Sequence, residues 1–67
     1  MLVKQIGNTI KERRKELKVT QSCLAELAQI SVNTLYKIER GQGNPSLSVL
    51  CQIAEVLGME FQLKIKN

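Results

Sequence analysis

The stretch "TQSCLAELAQISVNTLYKIERG", residues 20–41, constrains the fold more than any other part of the chain. It holds two amphipathic segments, 21–28 and 32–40, joined by a short turn, and the apolar spacing in each predicts a helix. Thr20 and Ser31 stand directly before these segments and are good N-caps. Helices this short are unstable alone in water, so each must be stabilised by packing on the other and on the rest of the domain.

Two further helices are predicted, one on each side of this pair. The first runs from about Leu2 to Leu17, and its apolar face is formed by Val3, Ile6, Ile10 and Leu17. Arg13 and Arg14 lie at the two edges of that face. The spacing alone does not decide which arginine points inward, and the one that does needs a buried partner.

The fourth predicted helix runs from Leu47 to Leu57, between a Ser46 cap and a Gly58 stop. The positions expected to face the core are Leu24, Leu27 and Ala28 in the second helix and Leu47, Leu50, Ile53, Ala54 and Leu57 in the fourth. Cys51 flanks this stripe, and we expect it to be buried. Val49 and Val56 share a second side, which fits either a partner surface or ordinary burial.

After Gly58 the apolar period changes from that of a helix to that of a strand. Apolar and polar residues alternate strictly over residues 59–66, which predicts a half-buried β-strand. Since this is the only strand candidate in the chain, both of its edges would be unpaired. The strand is therefore expected to pair outside its own chain.

Composition narrows the class of function. A chain of 67 residues predicts a single domain, 1–67, and this one contains no His and no Asp, which removes the commonest general base and metal ligand. Cys23 and Cys51 are too far apart for a CxxC metal site. We therefore expect no enzyme activity, no metal and no cofactor. A net charge of +4 suggests an anionic partner, and the lack of a signal peptide or apolar run of membrane length predicts a cytoplasmic protein with reduced thiols.

Two short helices joined by a tight turn predict a helix-turn-helix, with Ala25 as the small residue at the crossing. Its second helix can then enter the DNA major groove. Leu35 and Ile38 point inward, so the opposite side of that helix carries Asn33, Tyr36, Lys37 and Arg40. Asn suits adenine and Lys suits guanine acceptors, although a polar helix face is also compatible with simple solvation.

Residues 20–47 resemble the phage repressor and Cro-like (xenobiotic response element) helix-turn-helix family. The family pattern is matched at Thr20, Gln21, Leu24, Ala25, Ser31, Ile38, Glu39, Gly41, Asn44, Pro45, Ser46 and Leu47. The resemblance implies a mainly α, four-helix, lambda-repressor-like DNA-binding domain with the helix-turn-helix at 21–40. Two departures stand out: Gln29 replaces the usual turn Gly, and Cys23 cannot complete a capping box.

The resemblance also implies roles for individual residues. It selects Arg14 over Arg13 as the inward arginine and pairs it with Glu39, and it places Gln21 on a DNA phosphate. The full set expected to contact double-stranded DNA is Gln21, Ser31, Val32, Asn33, Thr34, Tyr36, Lys37, Arg40 and Asn44. Within that set Val32 is expected to meet a thymine methyl group, and the hydroxyls of Ser31 and Thr34 to donate to phosphates.

The C-terminal strand is similar to that of HipB-like antitoxins, which pairs with its mate across a homodimer. The alternation after Gly58 and the second apolar side of the fourth helix then predict a dimer interface formed by Val49, Val56, Met59, Phe61, Leu63 and Ile65. The expected function is a dimeric transcriptional repressor on an inverted-repeat operator. The alternative is an antitoxin that neutralises a partner toxin and represses its own operon.

Overall fold

A computed structural model describes residues 2–65 and contains four helices, α1 (Leu2–Glu16), α2 (Gln21–Leu27), α3 (Val32–Glu39) and α4 (Leu47–Val56). The expected caps are present: the hydroxyls of Thr20, Ser31 and Ser46 accept hydrogen bonds from the backbone N–H groups of the third residue of α2, α3 and α4. The starts of α2, α3 and α4 are thus each marked by one local hydrogen bond that the sequence predicts.

All four helices also end in the same way. The residue after each C-cap has a positive φ, namely Lys18 (57°), Gln29 (60°), Gly41 (74°) and Gly58 (70°). The next backbone N–H then returns to a carbonyl inside the helix, as in Ile30 to Ala25 at 2.9 Å, which is the Schellman arrangement. Three of these returning residues, Val19, Ile30 and Met59, pack against the core. The turns therefore direct the chain back to the interior after α1, α2 and α4.

The core draws side chains from every helix. Leu24, Leu35, Ile53 and Leu57 are almost fully buried, and Ile10 of α1 joins them. Ala25, at 1% exposure, is the small residue expected at the helix crossing. α1 contacts α3, and α2 contacts both α3 and α4. α3 is consequently held between α1 and α2.

Several residues expected in the core are exposed. Leu17, Leu27 and Leu47 are 43%, 60% and 66% exposed, because each lies at a helix end that no neighbouring helix covers. Cys51 is also exposed, on a groove between α2 and α4 that Leu27 shares. The expectation that these four residues are buried is therefore wrong, because the helical period does not show where the covering helix stops.

Within residues 2–65 the single chain forms no β-strand. Residues 59–65 form an irregular segment that is packed against the core at Met59 and ends with Leu63 and Ile65 exposed. Lys66, the last residue of the predicted strand, lies outside the described residues. Across the described range, no helix combines the length and apolar character needed to cross a membrane.

Candidate nucleic-acid interface

The rotation of α3 about its axis is set by two buried residues. Leu35 and Ile38 are 0% and 2% exposed, so the other side of the helix faces outward. On that side the structure brings together Val32, Asn33, Thr34, Tyr36, Lys37 and the C-cap Arg40, all of them exposed. An exposed helix of this kind can place several donors and acceptors against one groove.

An aromatic contact orders the far end of this face. The Arg40 guanidinium lies over the ring of Tyr36, 5.3 Å from its centroid. The ring restrains a long side chain that would otherwise be free, while the guanidinium edge keeps its N–H donors.

The hydroxyls of Ser31 and Thr34 contact each other. Ser31 Oγ accepts from the Thr34 backbone N–H at 3.0 Å and lies 2.8 Å from Thr34 Oγ1, within hydrogen-bonding distance. One of the two hydroxyls donates to the other, so the pair keeps one hydroxyl proton for an outside acceptor.

The loop after α3 extends the same surface. Asn44 lies with Thr34 and Lys37 along a groove of about 190 Å³. The groove also includes Gln42, which is not among the residues expected to contact DNA. The signal for Gln42 is its position: it follows the positive-φ residue Gly41, whose turn brings the loop back beside α3.

Glu39 lies at the centre of a buried polar network. Its Oε2 accepts from Arg14 Nε at 2.7 Å, and its Oε1 accepts from Arg14 Nη2 at 3.1 Å and from Gln21 Nε2 at 3.0 Å. The Glu39 and Arg14 side chains are 2% and 12% exposed. A third Arg14 nitrogen, Nη1, donates to the Val19 carbonyl at 2.8 Å, so the expected ion pair also joins the turn before α2.

Arg13 has a different role from its neighbour. Its Nε donates to the Leu57 carbonyl at 3.0 Å, and its Nη1 contacts Glu16 on the surface at 3.0 Å. Arg13 therefore satisfies a carbonyl at the end of α4, which links α1 to α4.

The residues expected at a dimer interface fall into two groups. Val49 and Val56 are half-buried and pack against the core of their own chain, as does Met59. Phe61, Leu63 and Ile65 are exposed, at 41%, 104% and 93%. Met59 and Phe61 border an apolar cavity of about 240 Å³, whose walls include Ile6, Ile10 and Ala54.

The described residues include no cluster of His, Cys, Asp and Glu side chains that could hold a metal ion. Cys23 and Cys51 are both free and exposed. The candidate interface is thus built from hydrogen-bonding, cationic and aromatic groups.

Comparisons with known proteins agree with this geometry. A family model described as helix-turn-helix matches residues 10–63. The immunity repressor protein of Bacillus phage phi105 is 49% identical over 55 residues, which cover 82% of this chain and 38% of the repressor. The chain thus spans well under half the length of that relative.

Two solved structures share the fold. The clp gene regulator ClgR from Corynebacterium glutamicum matches with a TM-score of 0.84 and 29% identity, over 88% of this chain and 63% of that one. The restriction-modification controller protein C.AhdI from Aeromonas hydrophila matches with a TM-score of 0.82 and 29% identity, over 87% of this chain and 88% of that one. The chain therefore belongs to the helix-turn-helix family that includes phage repressors and transcriptional regulators.

Proposed function

We propose that this chain is a sequence-specific DNA-binding transcriptional regulator, and that it represses by placing α3 in the major groove. The observation that carries this proposal is the outward face of α3, whose orientation is fixed by the burial of Leu35 and Ile38. The family membership and the phage repressor among its relatives support the same function.

The groups on this face divide into base readers and phosphate contacts. Asn33 and Lys37, one turn apart and both exposed, read an adenine and a guanine, and Val32 meets a thymine methyl group. Gln21, Thr34, Arg40 and Asn44 contact the phosphate backbone, and Tyr36 holds Arg40 in place. Ser31 caps α3 by accepting from the Thr34 backbone N–H, and its hydroxyl shares a hydrogen bond with that of Thr34.

This division is tested by measuring the affinity of variants for a DNA duplex, which is first enriched from a random pool by binding to the protein. Lys37→Ala should weaken binding to that duplex by about 1–3 kcal/mol and relax the preference at one base pair. Gln21→Ala should weaken all sequences about equally. Lys15→Ala, which removes an exposed lysine outside α3, should leave the sequence preference unchanged. An unaltered preference in Lys37→Ala would rule out the base-reading role of this lysine.

The C-terminal segment is the proposed dimerisation element. Residues 59–66 pair antiparallel with the same strand of a second copy, and the two-fold axis relates the two α3 helices. The exposure of Leu63 and Ile65 and the apolar cavity beside Phe61 support this, since a second strand would cover both. The recognition helices would then read half-sites about 34 Å apart, or a multiple of that distance.

Deletion of residues 59–67 tests the dimer, with sedimentation and DNA titration as readouts. We expect a monomer whose affinity falls by about tenfold or more, because bivalent binding is lost. Two point variants sharpen the test: Leu63→Ser, on the apolar side of the predicted strand, should weaken the dimer, whereas Gln62→Ser should not. A truncated protein that remains dimeric and binds DNA normally would overturn this role.

The exposed apolar side chains of the same segment favour one second candidate, an antitoxin. Leu63 and Ile65 are as available to a toxin as to a second copy of this chain. If Leu63→Ser abolishes toxin neutralisation but leaves dimerisation and DNA affinity intact, the function of this segment is to bind a toxin rather than to form the dimer.

A further inference from the structure

The Glu39 carboxylate makes more contacts than an ion pair needs. Among residues 2–65 it is the one charged residue that is buried, with 7% of the whole residue exposed, and it accepts hydrogen bonds from two other helices. Arg14 of α1 occupies both carboxylate oxygens, and Gln21 of α2 adds a third hydrogen bond at 3.0 Å. The ion pair is complete without Gln21, so the third bond needs an explanation of its own.

That bond fixes the orientation of the Gln21 amide. A carboxylate can only accept hydrogen bonds, so the NH₂ end of the amide must point toward Glu39, and the reverse orientation would place two oxygens together. Gln21 is only half-buried and stands at the first position of α2, so its side chain is not enclosed by the core. Because Arg14 neutralises Glu39, a nearby phosphate would meet an oriented donor and no exposed negative charge.

We propose that Glu39 is a positioning residue for DNA binding, which holds the Gln21 amide ready for a backbone phosphate without touching the DNA itself. This inference rests on the proposed function of the α3 surface. An unrestrained Gln loses rotamer freedom when it binds, and here the bond to Glu39 has already removed that freedom before the DNA arrives. Arg14 contributes indirectly, by fixing the carboxylate from the other side.

A double-mutant cycle on DNA affinity tests the proposal. Glu39→Asp keeps a negative charge beside Arg14 but draws the carboxylate back from both Arg14 and Gln21, so the fold of this variant is verified by its Tm before affinity is measured. We expect the substitution to lower affinity for the enriched duplex by roughly threefold to tenfold, the effect of one net hydrogen bond. In a Gln21→Ala background the same substitution should have no further effect. Glu16→Asp, which alters the exposed partner of Arg13, is the matched control and should not depend on Gln21.

The cycle separates positioning from general structural support. If Glu39→Asp lowers affinity by the same factor with and without Gln21, Glu39 acts on the fold as a whole and the proposal is wrong. If Gln21→Ala leaves the affinity unchanged while Lys37→Ala lowers it, the DNA-binding function stands and only this inference fails. If the protein binds no DNA from the pool, the proposed function itself fails.

Nuclear magnetic resonance of the unaltered chain gives a second measurement, which does not depend on whether any variant folds. The proposal predicts that the side-chain ¹⁵N–¹H₂ group of Gln21 is as ordered as the backbone in the free protein, unlike that of the exposed Gln62. A Gln21 amide as mobile as that of Gln62 would overturn the proposal.

Discussion

The close crossing of α1 over α3 predicts that replacing a helical glycine by alanine lowers the stability of this protein, where such a change ordinarily raises it. Gly7 is buried in the middle of α1, where alanine would ordinarily be the better helix former by about 1 kcal/mol. A β-carbon at this position would meet the Ile38 carbonyl oxygen, and would lie 3.1 Å from the Ile38 carbonyl carbon and 3.3 Å from that of Glu39. We therefore expect Gly7→Ala to destabilise the protein.

The magnitude follows from what must move. The obstacle is backbone, which cannot rotate away as a side chain can, so α1 itself has to shift away from α3. Overpacking a tightly packed site costs about 1–3 kcal/mol, and a backbone obstacle belongs at the upper end. Subtracting the helix-propensity gain of about 1 kcal/mol leaves a net loss of about 2 kcal/mol. For a domain of this size that corresponds to a fall in Tm of about 8–16 °C.

Thermal and urea unfolding, followed by circular dichroism, provide the measurement. The matched control is Asn8→Ala, at the next residue of α1, whose side chain is exposed. It should raise the Tm slightly, because Ala is the better helix former. If Gly7→Ala raised the Tm as Asn8→Ala does, the two helices would be free to separate, and the close crossing could not be what fixes α3.

The remaining predictions concern a turn, an ion pair and the thiols. Gln29→Gly should stabilise the protein by about 0.5–1 kcal/mol, since Gly adopts the observed φ of 60° without strain, whereas Gln29→Ala should not. Glu39→Gln, in the buried ion pair, should lower the free energy of unfolding by about 3–5 kcal/mol, whereas Glu16→Gln, in the exposed pair, should lower it by about 0–1 kcal/mol. Equal losses for the two variants in thermal unfolding would refute the importance of burial. Cys23 and Cys51 should both react with a thiol reagent in the native protein, and protection of Cys51 without unfolding would contradict its exposed position.

The helices and their caps could be predicted because their signals are local. Ser or Thr before an apolar-patterned segment, and Gly after it, specify a helix start and stop within a few residues. Lys18 and Gln29 show the limit of that reasoning, because both adopt the left-handed conformation without being Gly. The reason lies one residue later, where Val19 and Ile30 must reach the core, and burial of these side chains outweighs the local strain.

The outward face of α3 could be predicted from periodicity, because two buried residues determine which side of a helix is exposed. The Gln21–Glu39 bond could not, since it joins the start of α2 to the end of α3 and depends on the angle at which helices cross. The exposure of Leu27 and Leu47 could not be predicted for a similar reason. Apolar spacing identifies a face of a helix, but tertiary packing decides how far along that face the core extends.

Reading base edges requires more precision than folding does, because a recognition side chain must be held within about half an ångström of its productive position. α3 is restrained at its start by the Ser31 cap and at its end by the close crossing of α1 at Gly7. The residues that impose these restraints do not belong to the outward face. Changes to them should therefore lower the stability of the protein and its DNA affinity together, whereas Lys37→Ala should lower affinity with the Tm unchanged. The two kinds of residue can thus be separated by measuring both quantities for each variant.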